Sequence, residues 1–468
     1  MGRADERTIE RSALARGGLG RVGRCPGCSV LASSPGFGSA SRYSIIAVDP
    51  VATFQAVGGS WSLSDGAPLD RPAPGSSVWE ALRSLWRQTR RLTSTRVDQP
   101  IFQAGWIGFF SYDLAWLIEH LPRQHARGHH LPDLSMHYYD TFAIHDNETN
   151  QTTIHSFDRF GLSSSERAER RERLESILAE EPLVDDGGSL VDGDLTSDSS
   201  ERDYRDRVER VIEYLRVGDI FQANISHEVS AKFLGDAELL FARARRESPA
   251  PYGALLRGNG WDIVSTSPER FLLRSPDGRV ETRPIKGTRP RGRDPQHDLL
   301  LRDELARSSK DAAELTMIVD LERNDLGRVC RFGSVRVTDH RQIESYRNVH
   351  HAVSTIVGEI RADKDMVDLL LATFPGGSIT GAPKIRAMEI IEELEKSRRG
   401  VYTGAIGYIS DHGRADFNIA IRTMVIDGET VRYRVGGGIV VESDPLSEYR
   451  ETLVKGQRMR SILTGDRS

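Results

Sequence analysis

Cysteine is scarce: Cys25, Cys28 and Cys330 are the only three in 468 residues. So few cannot form a disulfide framework in a chain of this length. Cys25-Pro-Gly-Cys28 has the spacing of a redox pair or half a zinc site, but no second Cys/His pair lies nearby to complete a tetrahedron. Long hydrophobic runs are missing too. None approaches the roughly 18 residues that a membrane span needs, so no membrane role is expected. There is no basic excess: 63 Lys plus Arg stand against 68 Asp plus Glu, a net charge of -5, which argues against a nucleic-acid binder. The Arg-rich start has no apolar h-region and carries Asp5, Glu6 and Glu10. It reads as a ragged extension over 1–29 rather than a secretory signal or transit peptide, and the cytoplasm is the expected compartment.

What is present is a soluble globular composition, 38% hydrophobic and 28% charged. The length exceeds one ordinary core, so one large or two coupled domains are expected. The sharpest break is 181–200, acidic and rich in Gly and Ser. It reads as a linker or long surface loop between a segment over 30–180 and another over 201–465. The first holds the apolar stretches Tyr43-Ser-Ile-Ile-Ala-Val48 and Gly105-Trp-Ile-Gly-Phe-Phe-Ser-Tyr112. The second alternates strands and helices. A charged amphipathic helix covers 203–215. An extended stretch over 282–291 turns at Gly287, because its prolines exclude a helix. Ser308 or Ser309 caps a helix over 311–326. A hairpin over 416–435 turns at Asp427-Gly428, and Gly436, Gly437 and Gly438 close its second strand. Asp444 caps a last helix that has Pro445 at its first position and ends before Gly465.

Several groupings invite chemistry. Asp311 and Glu314 lie three apart on one helix, and Glu448 and Glu451 repeat that spacing on the last, so each pair shares a face. If the faces meet, four carboxylates require a divalent cation, and an all-oxygen set suits Mg²⁺. If they do not, the pairs are solvated helix faces. Gly376-Gly-Ser-Ile-Thr-Gly-Ala-Pro-Lys384 is a Gly-rich loop running into a helix near Pro383, able to present N–H groups to an anion. It is not a nucleotide P-loop, since Ala382 and Pro383 separate Gly381 from Lys384. The three glycines at 436–438 offer a second place for close backbone approach, and either loop reads equally well as a turn. Lys286 stands among Arg283, Arg289 and Arg291, whose charges would disfavour its ammonium form; the alternative is an exposed basic loop. His351 follows His350 in an extended segment, as a general acid or as a polar core neighbour.

Taken in order, Ser267-Pro-Glu-Arg-Phe271, Pro284-Ile-Lys-Gly-Thr-Arg-Pro-Arg291, Ile318-Val-Asp-Leu-Glu-Arg-Asn-Asp-Leu-Gly-Arg328, Phe374-Pro-Gly-Gly-Ser-Ile-Thr-Gly-Ala-Pro-Lys384 and Gly436-Gly-Gly-Ile-Val440 resemble the chorismate-utilising family. That family comprises the anthranilate, aminodeoxychorismate, isochorismate and salicylate synthases. Arg42-Tyr-Ser44 and the stretch over 105–112 look like its N-terminal domain. The resemblance implies a mixed α/β fold of two packed antiparallel sheets with helices outside. It implies that Glu314 and Glu451 hold Mg²⁺, with Asp311 and Glu448 behind them. Tyr408, Arg422 and the amides of Gly436, Gly437 and Gly438 would hold the enolpyruvyl carboxylate, and Thr380 and Gly381 would line the ring carboxylate. His351 would act as general acid on the leaving hydroxyl, Glu269 as acid/base near the attacked carbon, and Lys455 would add positive charge.

Two positions discriminate within the resemblance. Where anthranilate synthases carry Pro-Ile-Ala-Gly-Thr, this chain has Lys286, as aminodeoxychorismate synthases do. Where the water-using synthases have a basic lysine, it has Gln222, which implies ammonia as the nucleophile. The implied activity is amination of chorismate to 4-amino-4-deoxychorismate, with anthranilate formation as the alternative and a non-catalytic binding subunit as the remote one. Only Cys25 has the Gly-x-Cys-x-Gly spacing of a glutaminase nucleophile, in Gly23-Arg-Cys-Pro-Gly27, and that run sits in the Arg-rich ragged extension rather than in a patterned domain. Ammonia is therefore expected from glutamine through a separate amidotransferase subunit, and no fused lyase is expected after the last helix. The amino-acid pocket of the family opens with a Leu-Leu-Glu-Ser-like stretch, for which Leu31-Ala-Ser-Ser34 stands here.

Overall fold

The computed structural model describes residues 5–9, 26–90, 101–181, 183–347 and 349–466. Two large antiparallel sheets pack face to face. The first runs, in spatial order, Asp5–Ile9, Gln151–Ser156, Thr141–Asp146, Tyr43–Ala47, Ser29–Ala32, Tyr252–Arg257, Trp261–Ser267, Thr423–Asp427, Thr430–Ile439, Gln222–Phe233 and Val191–Ser197. Gly381–Ala382 adds a short pairing to Gln222–Phe233. The second runs Ile285–Pro290, Val349–Glu359, Arg279–Arg283, Arg270–Arg274, Ala415–Ile419, Ala405–Ser410, Gly105–Phe110, Leu134–Tyr139, Ala52–Val57 and Ser60–Leu63, with Arg336–Ser345 paired to Val349–Glu359.

The main core lies between the sheets, where Phe54, Trp106, Phe109, Ile263 and Leu272 meet, closed by Leu315 and Met366 from two helices. A second core lies where helices Ser164–Ala179, Ala237–Glu247 and Pro445–Thr464 cover the outer face of the first sheet. A third lies under helices Glu201–Arg216 and Lys384–Leu394. Every residue of Gly105–Phe110 is buried. A strand covered on both faces reads as a continuous apolar run, which is why no alternation marks it. Among the described residues, no helix is long and apolar enough to cross a membrane.

Three local expectations are corrected. The segment over 181–200 is not a free linker, because Val191–Ser197 is an edge strand on Gln222–Phe233 and Asp185 is pinned by Arg243 and Arg246. Edge strands face solvent, so its acids and Gly193 hide the period of two. The segments over 30–180 and 201–465 both contribute strands to both sheets. Within the extension over 1–29, Asp5–Ile9 pairs with Gln151–Ser156, while Cys25 lies outside the described residues and Cys28 is buried. Finally, the stretch over 416–435 is not one hairpin. Ala415–Ile419 belongs to the second sheet, and only Thr423–Asp427 with Thr430–Ile439 forms the hairpin, in the first. The chain crosses between sheets at Arg422, whose φ of 49° supplies the bend.

Candidate active site

The site forms where the Gln222–Phe233 and Thr430–Ile439 strands, the last helix, the helix Ser309–Gly327 and the Ile285–Pro290 strand converge. Gly436, Gly437 and Gly438 do not close their strand but run inside it, opposite Ser226, Ile225 and Asn224. Glycine is required there by close approach. A β-carbon on Gly438 would stand 2.1 Å from Nε2 of Gln222, and one on Gly437 would stand 3.2 Å from Oε2 of Glu448. The last helix is started by Asp444, which accepts from the N–H of Ser447, and this sets Glu448, Glu451 and Lys455 against the glycine strand. Nζ of Lys455 donates to the Gly436 carbonyl at 3.0 Å and meets Oε1 of Glu451 at 2.7 Å.

The acidic faces of the two helices are brought toward each other, as the pairing argument required. Burial raises the carboxyls of both Glu314 and Glu448 above their usual range, with the charge of Glu448 adding at Glu314 and that of Glu451 adding at Glu448. Burial also pushes Glu451 up, but Lys455, Lys310 and Lys286 outweigh it and hold the group below its usual value. The four acids do not surround one point. Asp311 turns aside to pair with Arg289 at 3.3 Å, Ser443 donates to Glu448 at 2.6 Å, and Lys455 engages Glu451. Among the described residues, no three acidic, His or Cys side chains converge closely enough to enclose an ion. What is present is an open, oxygen-rich set facing the glycine strand. It fits a hard cation that takes one or two protein carboxylates and completes its shell from water and substrate.

Lys286 sits over this set, with Nζ donating to the Ser378 carbonyl at 3.0 Å. Its ammonium form is disfavoured as expected, but not for the expected reason. Burial is the cause, opposed by Glu314 and Glu269 and aided only by Lys455. Arg283, Arg289 and Arg291 are taken up by Glu344, Glu304 and Asp298. Glu269 accepts from the Ile285 N–H at 3.2 Å, and burial raises its carboxyl, with Ser378 and Lys286 pulling the other way. His351 lies in the strand Val349–Glu359, with Nδ1 2.8 Å from the Thr288 hydroxyl. Burial, then Arg422 and His350, push it down to about 3. It is therefore a neutral imidazole at neutral pH, suited to donating a hydrogen bond rather than to storing a proton.

The expected carboxylate-binding residues fare unevenly. Arg422 is the strongest: burial lowers its pKa, with Arg458 adding to the effect. Among the described residues no acid pairs with it, so an anion there would meet a desolvated cation. Gln222 is buried, and its Oε1 has no hydrogen-bond partner. Gly381, at φ 144°, packs on the Gln222 carbonyl. Thr380 is fully buried and spends its hydroxyl on the Gly376 carbonyl at 3.1 Å. Tyr408 is not brought to the cluster. Its hydroxyl accepts from Arg414 at 3.0 Å and its ring meets Phe102 edge-on. Tyr402 lies nearer the glycine strand, beside the Glu395–Arg434 pair.

Sequence reasoning passed over Lys310, whose charge reaches Glu314, Glu448 and Glu451, and the inward ammonium of Lys384, which binds the Asp325 carboxylate. A signal was available. The chain has only seven lysines among its 63 basic residues, and four of them, Lys286, Lys310, Lys384 and Lys455, stand at or behind this site. An ammonium is a compact charge whose pKa shifts readily on burial, unlike a guanidinium.

The chain belongs to the chorismate-binding enzymes, matching that family over residues 30–461. It is 41% identical to anthranilate synthase component 1 1 of Haloarcula marismortui over 418 residues, covering 85% of this chain and 84% of that protein. It is 38% identical to aminodeoxychorismate synthase component 1 of Bacillus subtilis over 429 residues, covering 90% and 89%. The fold matches anthranilate synthase component I from Streptococcus pneumoniae with a TM-score of 0.79 at 29% identity, covering 90% and 92% of the two chains. The expected architecture of two antiparallel sheets with helices is thus the observed one.

Proposed function

We propose that this chain aminates chorismate to 4-amino-4-deoxychorismate, as the chorismate-processing component of an aminodeoxychorismate synthase. The observation that carries the reading is Lys286, a half-buried amine whose desolvation disfavours the ammonium form against the pull of Glu314 and Glu269. Overall similarity does not choose between amination products, because relatives of both names match at comparable identity; the lysine at 286 supports the first.

In this reading Arg422 and the glycine strand bind one carboxylate of chorismate, and Gln222, with no basic group to activate water, leaves ammonia as the nucleophile. The free amine of Lys286 bonds to C2 as the C4–oxygen bond breaks and the ring double bond shifts. The proton shed by the newly bonded nitrogen balances the one taken up by the departing hydroxide. The neutral imidazole of His351 donates a hydrogen bond to that oxygen, and Glu269 shuttles the proton at the lysine nitrogen. Ammonia then bonds to C4, the C2–nitrogen bond breaks, and Lys286 is restored with the enolpyruvyl group retained. Mg²⁺ held by Glu314 and Glu451, with Asp311 and Glu448 behind them, would supply positive charge opposite the ring carboxylate. Ammonia would come from a separate glutamine amidotransferase, consistent with the component numbering of the relatives.

The test is purified chain with chorismate, Mg²⁺ and ammonium, with products separated and weighed by mass spectrometry. An aminated product that retains its enolpyruvyl group, and its loss in Lys286→Ala with chorismate binding kept, are expected. Undiminished amination by that variant would refute the covalent role. Anthranilate plus pyruvate would establish the second reading, anthranilate synthase component I, which the 41% identical relative favours.

A further inference from the structure

The Gly-rich loop is closed from within. Nζ of Lys384 donates to Oδ2 of Asp325 at 2.6 Å, to the Pro375 carbonyl at 2.8 Å and to the Thr373 carbonyl at 3.1 Å. One ammonium thus ties the end of the loop to its beginning and both to the helix Ser309–Gly327. All three of its donors are spent, so it has none left for a ligand. The loop rests on the same helix one turn earlier. A β-carbon on Gly377 would stand 2.8 Å from Leu321 and 3.4 Å from Cγ of Glu322. Behind the turn lies a cavity of about 10 Å³, room for one water, lined by Thr282, Glu322, Asp325, Thr373, Gly376 and Gly377. The lysine ties and these close contacts together bear on the position of the loop. On the far side, Arg399 holds the Ile379 carbonyl at 3.0 Å and the Asn224 N–H holds Thr380. Between the two anchorages projects the Ser378 carbonyl, which accepts from Lys286.

We infer that Lys384 is a positioning residue for Lys286: its ammonium, bound to Asp325 and to the Thr373 and Pro375 carbonyls, fixes the turn that presents the Ser378 carbonyl to the Lys286 amine. The consequence for reactivity rests on the reading of Lys286 above, but the geometric claim does not, and the two fail separately.

The test uses the full chain with its lysines labelled with ¹³C and ¹⁵N, so that the amines stay unmodified, and reads each side chain at Cε and Nζ by NMR. Seven lysines give at most seven side-chain resonances, and Lys286→Arg assigns the one at 286. The carbonyl stabilises the charged amine, so in Lys384→Met the Lys286 midpoint is expected to fall by about one pH unit, the size of a hydrogen bond to a charged group. The lysines at 232, 310, 364 and 396 should not move. Asp325→Asn, which keeps the shape and weakens the anchor, should give a smaller shift in the same direction and covers the case in which the methionine variant does not fold. An unmoved Lys286 resonance in a folded variant would overturn the inference, as would equal movement of all lysines. In amination assays both variants should lose at least tenfold in kcat with KM for chorismate within about threefold. If the resonance moves while Lys286→Ala still aminates, the staple stands and the covalent reading falls.

Discussion

A β-carbon on Gly437 would come within 3.2 Å of Oε2 of Glu448, 3.8 Å of Nζ of Lys455 and 3.9 Å of Oε1 of Glu451. One backbone position of the strand Thr430–Ile439 therefore faces three charged groups of the last helix, and only a missing side chain leaves that space open. Gly437→Ala pushes on the end of a flexible carboxylate, so the fold should hold to within about 1 kcal/mol. The KM for chorismate should rise by about tenfold, equivalent to ~1.4 kcal/mol. Thermal melts beside steady-state kinetics check this. Gly436→Ala should behave differently, because its β-carbon would meet the Ile225 carbonyl at 2.3 Å and must displace backbone; here the melt itself should fall.

Arg422 offers a contrast between binding and stability. Arg422 is half-buried with no acid paired to it among the described residues, and such a cation costs the empty fold and repays the cost when an anion arrives. Arg422→Ala should therefore leave the ligand-free melting temperature unchanged or raised while KM for chorismate climbs roughly 10- to 100-fold, the worth of a charge-assisted hydrogen bond. A fall in ligand-free stability with KM unchanged would show that Arg422 is structural.

Glu322 is buried and accepts from the Thr282 hydroxyl at 2.8 Å, and burial raises its carboxyl to about 8. A folded-state value above the unfolded one means that the folded chain binds the extra proton, so stability falls as pH rises from about 4.5 to 8. Glu322→Gln keeps the acceptor and removes the charge. It should match the native chain near pH 4.5 and exceed it by up to a few kcal/mol near pH 9. Denaturant titrations at the two pH values measure the gap.

Glu395 shows the opposite sign. Burial alone would raise it, but Arg399 at 2.7 Å and Arg434 at 3.0 Å overcome that and hold it down to about 2. Its contribution is present above the unfolded value and is lost as pH falls from about 4.5 toward 2. Glu395→Gln should cost about 3–5 kcal/mol at pH 7, since it strands two buried guanidinium groups, and the difference from the native chain should narrow below pH 4.

Sequence reading reached far where the signal is local. Ser308 caps the helix Ser309–Gly327 by accepting from the Asp311 N–H, and Asp444 with Pro445 starts the last helix, because capping and proline geometry act within one turn. The extended setting of His351 follows from the same short-range chemistry, whereas Gly287, φ 87°, makes a bulge inside the strand Ile285–Pro290 and not the expected turn. The i, i+3 carboxylate pairs were legible as faces for the same reason.

Only the tertiary structure decided what those faces meet. Whether four acids converge depends on helices more than 100 residues apart in sequence, and the fold places Glu314 near Glu448 while Arg289 draws Asp311 away. The neutral bias of Lys286 was legible, but its cause was not: neighbours in sequence suggested repulsion, whereas alternate strand residues point to opposite faces and the arginines pair outward, leaving burial to do it. Tyr408 and Tyr402 are six residues apart and chemically identical. Which one stands by the glycine strand is fixed by strand pairing across two sheets, a long-range choice that no local pattern encodes.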